Sequence, residues 1–453
     1  MNGPSASSGG ALGTKGGLTG DLLRGAAGSF ALSLVNTGMT FLATALLARV
    51  LGVSEFGVFA FVVALGLLLT VPAVLGFDRL STRDVAVHRA RSAWRSMRGL
   101  VIVANLLVLA NSSLLAVAAG LVVFFTTNDP TLRSGLLVGL LAIPAMAIGR
   151  IDQGVLMGLH RVVSSQVPDL ALRPTLFLLL VLGMVWLLPS GLDSTSAIGL
   201  HVMSIVAATA ATLLLLRRSW PSAASGVAPA YETRAWVRGG LSLALLSGVM
   251  IVNAQSGIVM LGLLSAPDQA GLFSVAARGA ALIAFGLGAV NAALQPAVSR
   301  LWATGRMDEL QALVTVSARA VLLFAVPVSA IFVLFATDIL SLAFGSDYVQ
   351  AGPVLAILAA AQLLNAAIGS VGTLLIMTGH QRDAAFGIAV GAALNIMLNL
   401  VLIPIAGAVG AAVAAAISIA VWNSLLALAA LRRLGIHSTA LGRLPARLAS
   451  RHG

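Results

Sequence analysis

The sequence predicts an all-α polytopic membrane protein with twelve transmembrane helices in two pseudo-symmetric six-helix bundles around a central cleft. Three observations carry that prediction: twelve long apolar stretches, arginines collected in alternate gaps between them, and echoes between the two halves of the chain. Composition agrees, since 59% of the 453 residues are hydrophobic, only 9% are charged, and the mean hydropathy is +1.01, far from the soluble norm.

The apolar stretches cover 28–50, 56–77, 99–125, 135–157, 165–188, 195–216, 240–264, 270–297, 314–336, 353–377, 385–404 and 407–430. Each holds about 20 residues or more, enough at ~1.5 Å per residue to cross ~30 Å of hydrocarbon. Lys and Arg in short loops resist translocation, so basic gaps lie on the cytoplasmic side. Arg79, Arg83, Arg89, Arg91, Arg95 and Arg98 follow span two, and Arg217, Arg218, Arg234 and Arg238 follow span six. With the gaps after spans four, eight, ten and twelve and the N-terminal segment, one side receives 21 of the 27 basic residues. The other side holds Glu55, Asp129, Asp193, Asp268, Asp338 and Asp347, against Arg133 and the span-edge Arg49. Both termini are therefore expected in the cytoplasm, with the chain in the inner, cytoplasmic membrane. The net charge of +12 reads as inward loop charge beside anionic membrane lipids and gives no support for a nucleic-acid partner.

The organisation expected is a disordered cytoplasmic tail over 1–27, an N-terminal bundle over 28–216, a linker over 217–239, a C-terminal bundle over 240–431 and a basic tail over 432–453. The linker holds Pro221, Ser222, Ser225, Gly226 and Pro229 and is the longest gap between spans, which makes it the natural boundary. Three echoes support duplication. Leu34-Val35-Asn36 resembles Ile251-Val252-Asn253, Gly57-Val58-Phe59 resembles Gly271-Leu272-Phe273, and Met157-Gly158-Leu159-His160-Arg161 resembles Thr378-Gly379-His380-Gln381-Arg382, all at nearly the same offset. Six is even, so the halves point the same way and their axis lies along the membrane normal.

Ionisable groups at membrane depth cost ~2.5–3.5 kcal/mol on insertion scales and usually face a cavity or a partner. Arg150 and Asp152 lie in span four, Asp169 and Arg173 in span five. Counted from the shared loop, Asp152 and Arg173 reach similar depth, roughly 10–15 Å inside, so they are candidates to pair across the two helices. Asp169 and Arg173 are i, i+4, and an intrahelical pair competes. The four residues are candidates for interhelical pairing or for ion coupling. Arg278 lies well inside span eight with no acid nearby in sequence; its donor fork suits a phosphate, or an acid from another helix. Arg24 and Arg49 flank span one, the first as an interfacial anchor and the second as a candidate for the outer mouth of a cavity. The matched Asn36 and Asn253 are expected to face the seam between the halves, where a substrate would meet them.

Absences narrow the function. The sequence has no GxxxxGKS/T nucleotide loop, no HExxH or metal-spaced histidines, no Cys and no outward loop beyond about 16 residues. An enzyme is not expected, nor is any cofactor or metal.

The hairpin Ala48-Arg49-Val50-Leu51-Gly52-Val53-Ser54-Glu55-Phe56-Gly57-Val58-Phe59 and the run Gly271-Leu272-Phe273-Ser274-Val275-Ala276-Ala277-Arg278 carry a resemblance. So do Leu156–Arg161 after span four, and Gln295-Pro296-Ala297-Val298-Ser299-Arg300-Leu301 after span eight. Over about residues 25–435 the chain resembles the multidrug/oligosaccharidyl-lipid/polysaccharide (MOP) exporter superfamily, and within it the O-antigen flippase or polysaccharide-transporter family. The resemblance implies a cleft lined by spans one, two, seven and eight that moves polyprenyl-diphosphate-linked oligosaccharide from the inner to the outer leaflet by alternating access, for O-antigen, capsule or exopolysaccharide assembly. Arg278, and less directly Arg49, fit the cationic cleft the resemblance implies; with Asn36, Asn253 and Arg24 they are the candidate substrate-binding residues, and other polysaccharide-assembly proteins are candidate partners. Twelve spans suit this family, whereas related peptidoglycan-precursor flippases have fourteen. A multidrug or toxin antiporter of the superfamily is the alternative, and its cationic cargo would call for an acidic cleft. A membrane-embedded polymerase or ligase would need a large outward loop.

Overall fold

The computed structural model of the protein describes residues 15–187 and 192–442. All regular structure among them is helical: α1 (Lys15–Val74), α2 (Phe77–Ala90), α3 (Trp94–Thr126), α4 (Pro130–Leu140), α5 (Ala142–Gly158), α6 (Val162–Val167), α7 (Arg173–Leu187), α8 (Ser194–Ser219), α9 (Thr233–Leu264), α10 (Pro267–Ala303), α11 (Met307–Leu334), α12 (Ala336–Phe344), α13 (Gly352–Ile368), α14 (Val371–Met377) and α15 (Gln381–Leu434). Nine helical runs among the described residues are long and apolar enough to cross a membrane. Two of these, Ala27–Val74 and Gln381–Leu434, cross twice, bending at Gly52 (φ 73°) and Gly407 (φ 52°). Left-handed backbone at these bends suits glycine, which has no Cβ to clash. With the shorter apolar Gly248–Leu264, the described chain makes twelve crossings.

The chain departs from the predicted spans at informative places. The basic gap after span two is not a loop but α2, an amphipathic helix that buries Phe77, Leu80 and Val85 and turns arginines outward. Its Arg89 Nη1 donates to the Leu159 carbonyl at the end of α5. The gap between spans nine and ten contains α12 and a 3-10 turn, Ser346–Ala351. The N-terminal helix begins at Lys15, within the segment expected to be a disordered tail, because no Pro interrupts the run from there to Pro72. At the other end residues 435–442 fold back onto the bundle rather than trailing as a basic tail. Ala440 N donates to Ala367 O at 3.0 Å, and Arg319 donates to Ala440 O and Gly442 O, both at 3.0 Å. Residues 1–14 and 443–453 of the expected tails lie outside the described residues.

Helix direction explains the sorted charges. Even-numbered spans begin on the acidic side, where their N-termini present unpaired N–H groups and the positive dipole end. Asp129 Oδ1 accepts from Thr131 N at 2.8 Å to cap α4, and Asp193 Oδ1 accepts from Ser196 N at 2.8 Å to cap α8. Glu55 Oε2 accepts from Ser194 N at 2.8 Å. Several acids of the acidic side are thus helix caps, while α8 ends at Arg217 and Arg218 and α15 at Arg432 and Arg433.

The two halves meet where the sequence echoes itself. A Cβ built on Gly57 would stand 1.8 Å from the Pro267 carbonyl oxygen, and one on Gly271 would stand 2.5 Å from that of Val53. These contacts are reciprocal: each glycine touches the carbonyl four residues before the other, as a twofold seam requires. Small residues at that crossing let two backbones touch. Tyr348 reinforces the same end by donating its hydroxyl to Gly52 O at 3.1 Å, and Gln269 Oε1 accepts from Ala408 N at 3.0 Å beside the Gly407 bend. At the arginine-rich end, a Cβ on Gly76 would lie 2.1 Å from Gly240 O, bringing the end of α1 onto α9. The outward faces remain apolar: Leu114, Phe125, Leu323 and Ile405 are all strongly exposed, as a lipid-facing belt requires.

Candidate functional site

Between these two seams lies a cavity of about 240 Å³. The first limb of α1 contributes Asn36, Thr40 and Thr44, spaced at i, i+4, i+8 so that they share one helical face. The second limb contributes Phe59, Gly66 and Leu67; α5, α7 and α8 add Met146, Arg173, Phe177 and His201; α9 and α10 bring Gln255 and Arg278 from the other half. The lining contains two guanidiniums and a histidine and no carboxylate.

Arg278 enters the cavity from the C-terminal half, one helical stretch below the Gly271 seam. Its side chain has solvent-accessible surface because it opens into the cavity. It has no hydrogen-bond or ion-pair partner among the described residues, so the reading of an acid supplied by another helix is not met and the donor fork points into free space. Arg173 sits beyond a widened π turn at Pro168–Leu172. That turn arises because the Pro174 ring cannot accept regular packing against the carbonyl four residues earlier, and the backbone expands to relieve it. Arg173 Nη1 approaches Asp169 Oδ1 at 3.2 Å, so the intrahelical pair forms and the cross-helix pair with Asp152 does not. The reason is geometric: Asp152 is buried toward α3, where Asn105 Nδ2 donates to its Oδ1 at 3.4 Å and its Oδ2 has no partner.

Two more sequence candidates, Arg49 and Asn253, take other places. Arg49 does not line the cavity. Its Nε donates to Ala343 O at 3.1 Å and its Nη2 to Leu342 O, capping the C-terminus of α12, where free carbonyls favour a cation. Arg49→Ala is expected to lower the melting temperature of purified protein by about 1 °C, matching a capping contact of ~1 kcal/mol; an unchanged transition contradicts the capping role. Asn253 is absent from the lining, and Gln255, two residues along α9, takes the position expected of it. The Arg24 side chain lies outside the described residues. Asn36 is in the lining, with its Oδ1 buried and unpartnered.

Sequence reasoning passed over His201 and its aromatic setting. Phe59 and Phe177 stack at 5.8 Å with their planes 2° apart, and His201 stands edge-on to Phe177 at 5.0 Å. The signal available was an isolated histidine within an apolar span. The two phenylalanines are buried and stacked on each other, so the group forms a rigid apolar wall beside the arginines.

Arg150 lies farther toward the arginine-rich face. A cavity of about 90 Å³ shares Leu67, Met146, Arg173 and Ile205 with the central one, and a third of about 270 Å³ shares Arg150, Gln153 and Asp169 with the second and reaches Asp78 and Arg79. The three cavities therefore adjoin one another in a row within the N-terminal half, and the outer two carry the carboxylates Asp169 and Asp78.

Residues 22–302 match the family described as "Polysaccharide biosynthesis protein". The chain belongs to that family. No curated protein matches this polysaccharide biosynthesis family member. Among solved structures it is similar to an inward-facing multidrug resistance MATE family transporter of the MOP superfamily, at 13% identity and a TM-score of 0.73 over 88% of this chain and 95% of that one. It is also similar to the lipid II flippase MurJ in an inward closed conformation, at 12% identity and 0.67 over 88% and 87%. A MOP superfamily transporter from Pyrococcus furiosus gives 12% identity and 0.63 over 92% and 95%. The fold of this family member is thus that of the MOP transporters.

Proposed function

We propose that this polysaccharide biosynthesis family member is a flippase carrying polyprenyl-diphosphate-linked oligosaccharide units across the inner membrane, with its arginine-rich face in the cytoplasm, for surface polysaccharide assembly. The observation that carries the reading is the central cavity itself, with Arg173 and Arg278 facing inward and no carboxylate in the lining. Arg278, at membrane depth and without a counter-ion among the described residues, is costly there unless an anion fills the site, and a diphosphate supplies oxygens that match its fork. Phe59, Phe177 and His201 form a rigid wall beside the arginines. The likeness to a flippase of lipid II, a lipid-linked cargo by name, supports the same class. A multidrug antiporter with cationic cargo fits poorly, because the lining lacks the acid that such cargo needs.

At about 240 Å³ the cavity is below the ~300–1,000 Å³ typical of drug-sized ligands, so loading requires the halves to part. The Gly57–Gly271 seam closes one end while the other opens, and the lipid tail stays in the bilayer throughout. In this scheme Asp152, buried and without an ion-pair partner among the described residues, is the acid available for proton coupling. Asp152→Asn is expected to remove any dependence of export on a proton gradient; export that still follows the gradient takes Asp152 out of the scheme.

The test in cells is deletion of the gene. Loss of surface polysaccharide with lipid-linked repeat units accumulating on the cytoplasmic leaflet is the expected phenotype. Normal surface glycan with a gain of sensitivity to cationic drugs would favour the antiporter.

A further inference from the structure

A fourth cavity, of about 480 Å³, lies apart from the other three, at the arginine-rich face. Its walls are the start of α3, with Arg98, Val101 and Ile102, and the end of α8, with Leu213, Leu216 and Arg217; its floor is the linker between the halves, from Trp220 to Gly226. Helices α3 and α8 make little direct contact, which leaves the space between them open.

The linker is fixed to α3. Arg98 Nη1 donates to Val227 O at 2.7 Å, Arg95 Nε to Ala228 O at 3.3 Å, and Ala230 N to Arg95 O at 3.0 Å. Gly99 permits the approach, since a Cβ there would stand 1.8 Å from Ala230 O. Arg98 thus uses Nη1 on the linker and also lines the cavity. Arg217 is exposed and has no hydrogen-bond or ion-pair partner among the described residues. None of the lining residues is acidic.

We propose that this cavity is a binding site for an anionic phospholipid with a single phosphodiester headgroup. Its phosphate lies between Arg98 and Arg217, its acyl chain runs along Val101, Ile102 and Leu213, and Trp220 marks the headgroup level, where indole rings settle. Basic pockets between transmembrane helices at a membrane surface suit such headgroups. The lipid would bridge α3, α8 and the linker, so it would set the footing from which the two halves move. The proposal does not depend on the cargo assigned to the central cavity.

The test is native mass spectrometry on delipidated full-length protein titrated with phosphatidylglycerol, phosphatidylcholine or inorganic phosphate. Wild type is expected to retain phosphatidylglycerol over phosphatidylcholine by about tenfold, with Arg217→Ala weakening that retention about fivefold, in line with the contribution of one arginine near a membrane surface. Val101→Trp, which fills the cavity without touching charge, is expected to have a similar effect. Arg433→Ala, at the same face but engaged with Asp383 at 3.1 Å, is expected to leave retention unchanged. Equal retention of the two lipids, or unchanged phosphatidylglycerol binding in both cavity variants, overturns the site. Inorganic phosphate bound as well as the lipid overturns the lipid identity, leaving a plain anion site.

Discussion

Arg278→Ala abolishes export of surface polysaccharide while the protein stays in the membrane at wild-type abundance. The expectation rests on three facts taken together: the side chain faces the central cavity, it has accessible surface there, and it has no partner among the described residues. Because it holds no helix to another, its removal leaves no broken contact and the fold is expected to survive. A charge-assisted hydrogen bond contributes ~1.5–3 kcal/mol, which corresponds to roughly 10- to 100-fold in cargo affinity. Arg278→Lys keeps the charge and loses the fork, so partial export is expected from it. Arg173→Ala is expected to be the less clean experiment, since it also releases Asp169 from its ion pair. Glycan display measured beside membrane abundance checks the series; full export by Arg278→Ala rules out the diphosphate contact.

Gly57→Val prevents the seam between the halves from closing. Any Cβ at that position overlaps the Pro267 carbonyl, and the reciprocal contact of Gly271 with Val53 leaves the facing backbone no room to yield. Overpacking of even ordinary cores costs about 1–3 kcal/mol, and here the clash is between main chains. Loss of export and a lower melting temperature are both expected. Gly38→Ala supplies the comparison: it lies on the same helix with open space around a Cβ, and it should be neutral or gain up to ~1 kcal/mol from better helix propensity. If Gly57→Val exports normally and melts with wild type, the seam is not the closing element.

Much of this architecture was legible in residues. Hydropathy located the crossings and arginine placement separated the faces, because both follow from the bilayer as solvent and not from tertiary detail. The Gly57 and Gly271 echo is, in the sequence, only a sign of duplication, and that these glycines are where the halves touch comes from the structure. What escaped was contact between distant segments. Arg49 appeared as a cavity cation because its acceptors, Leu342 and Ala343, are nearly 300 positions away. Asp152 and Arg173 matched in depth, but depth gives no azimuth, and each side chain faces another way around its helix. The same ambiguity hid Gln255 behind Asn253. The amphipathic α2 was overlooked because its charges were counted as loop charge, although Phe77, Leu80 and Val85 already share one face.

On the proposed function, the cavity receives the diphosphate of a lipid-linked glycan. Translocation in proteoliposomes tests it most directly, with purified protein, polyprenyl-diphosphate oligosaccharide labelled on its sugar, and an impermeant glycosidase outside to report arrival. Wild-type protein is predicted to move the glycolipid, Arg278→Ala to fail, and neither to move a lipophilic cationic dye. Dye transport by the wild type without movement of the glycolipid would contradict the account.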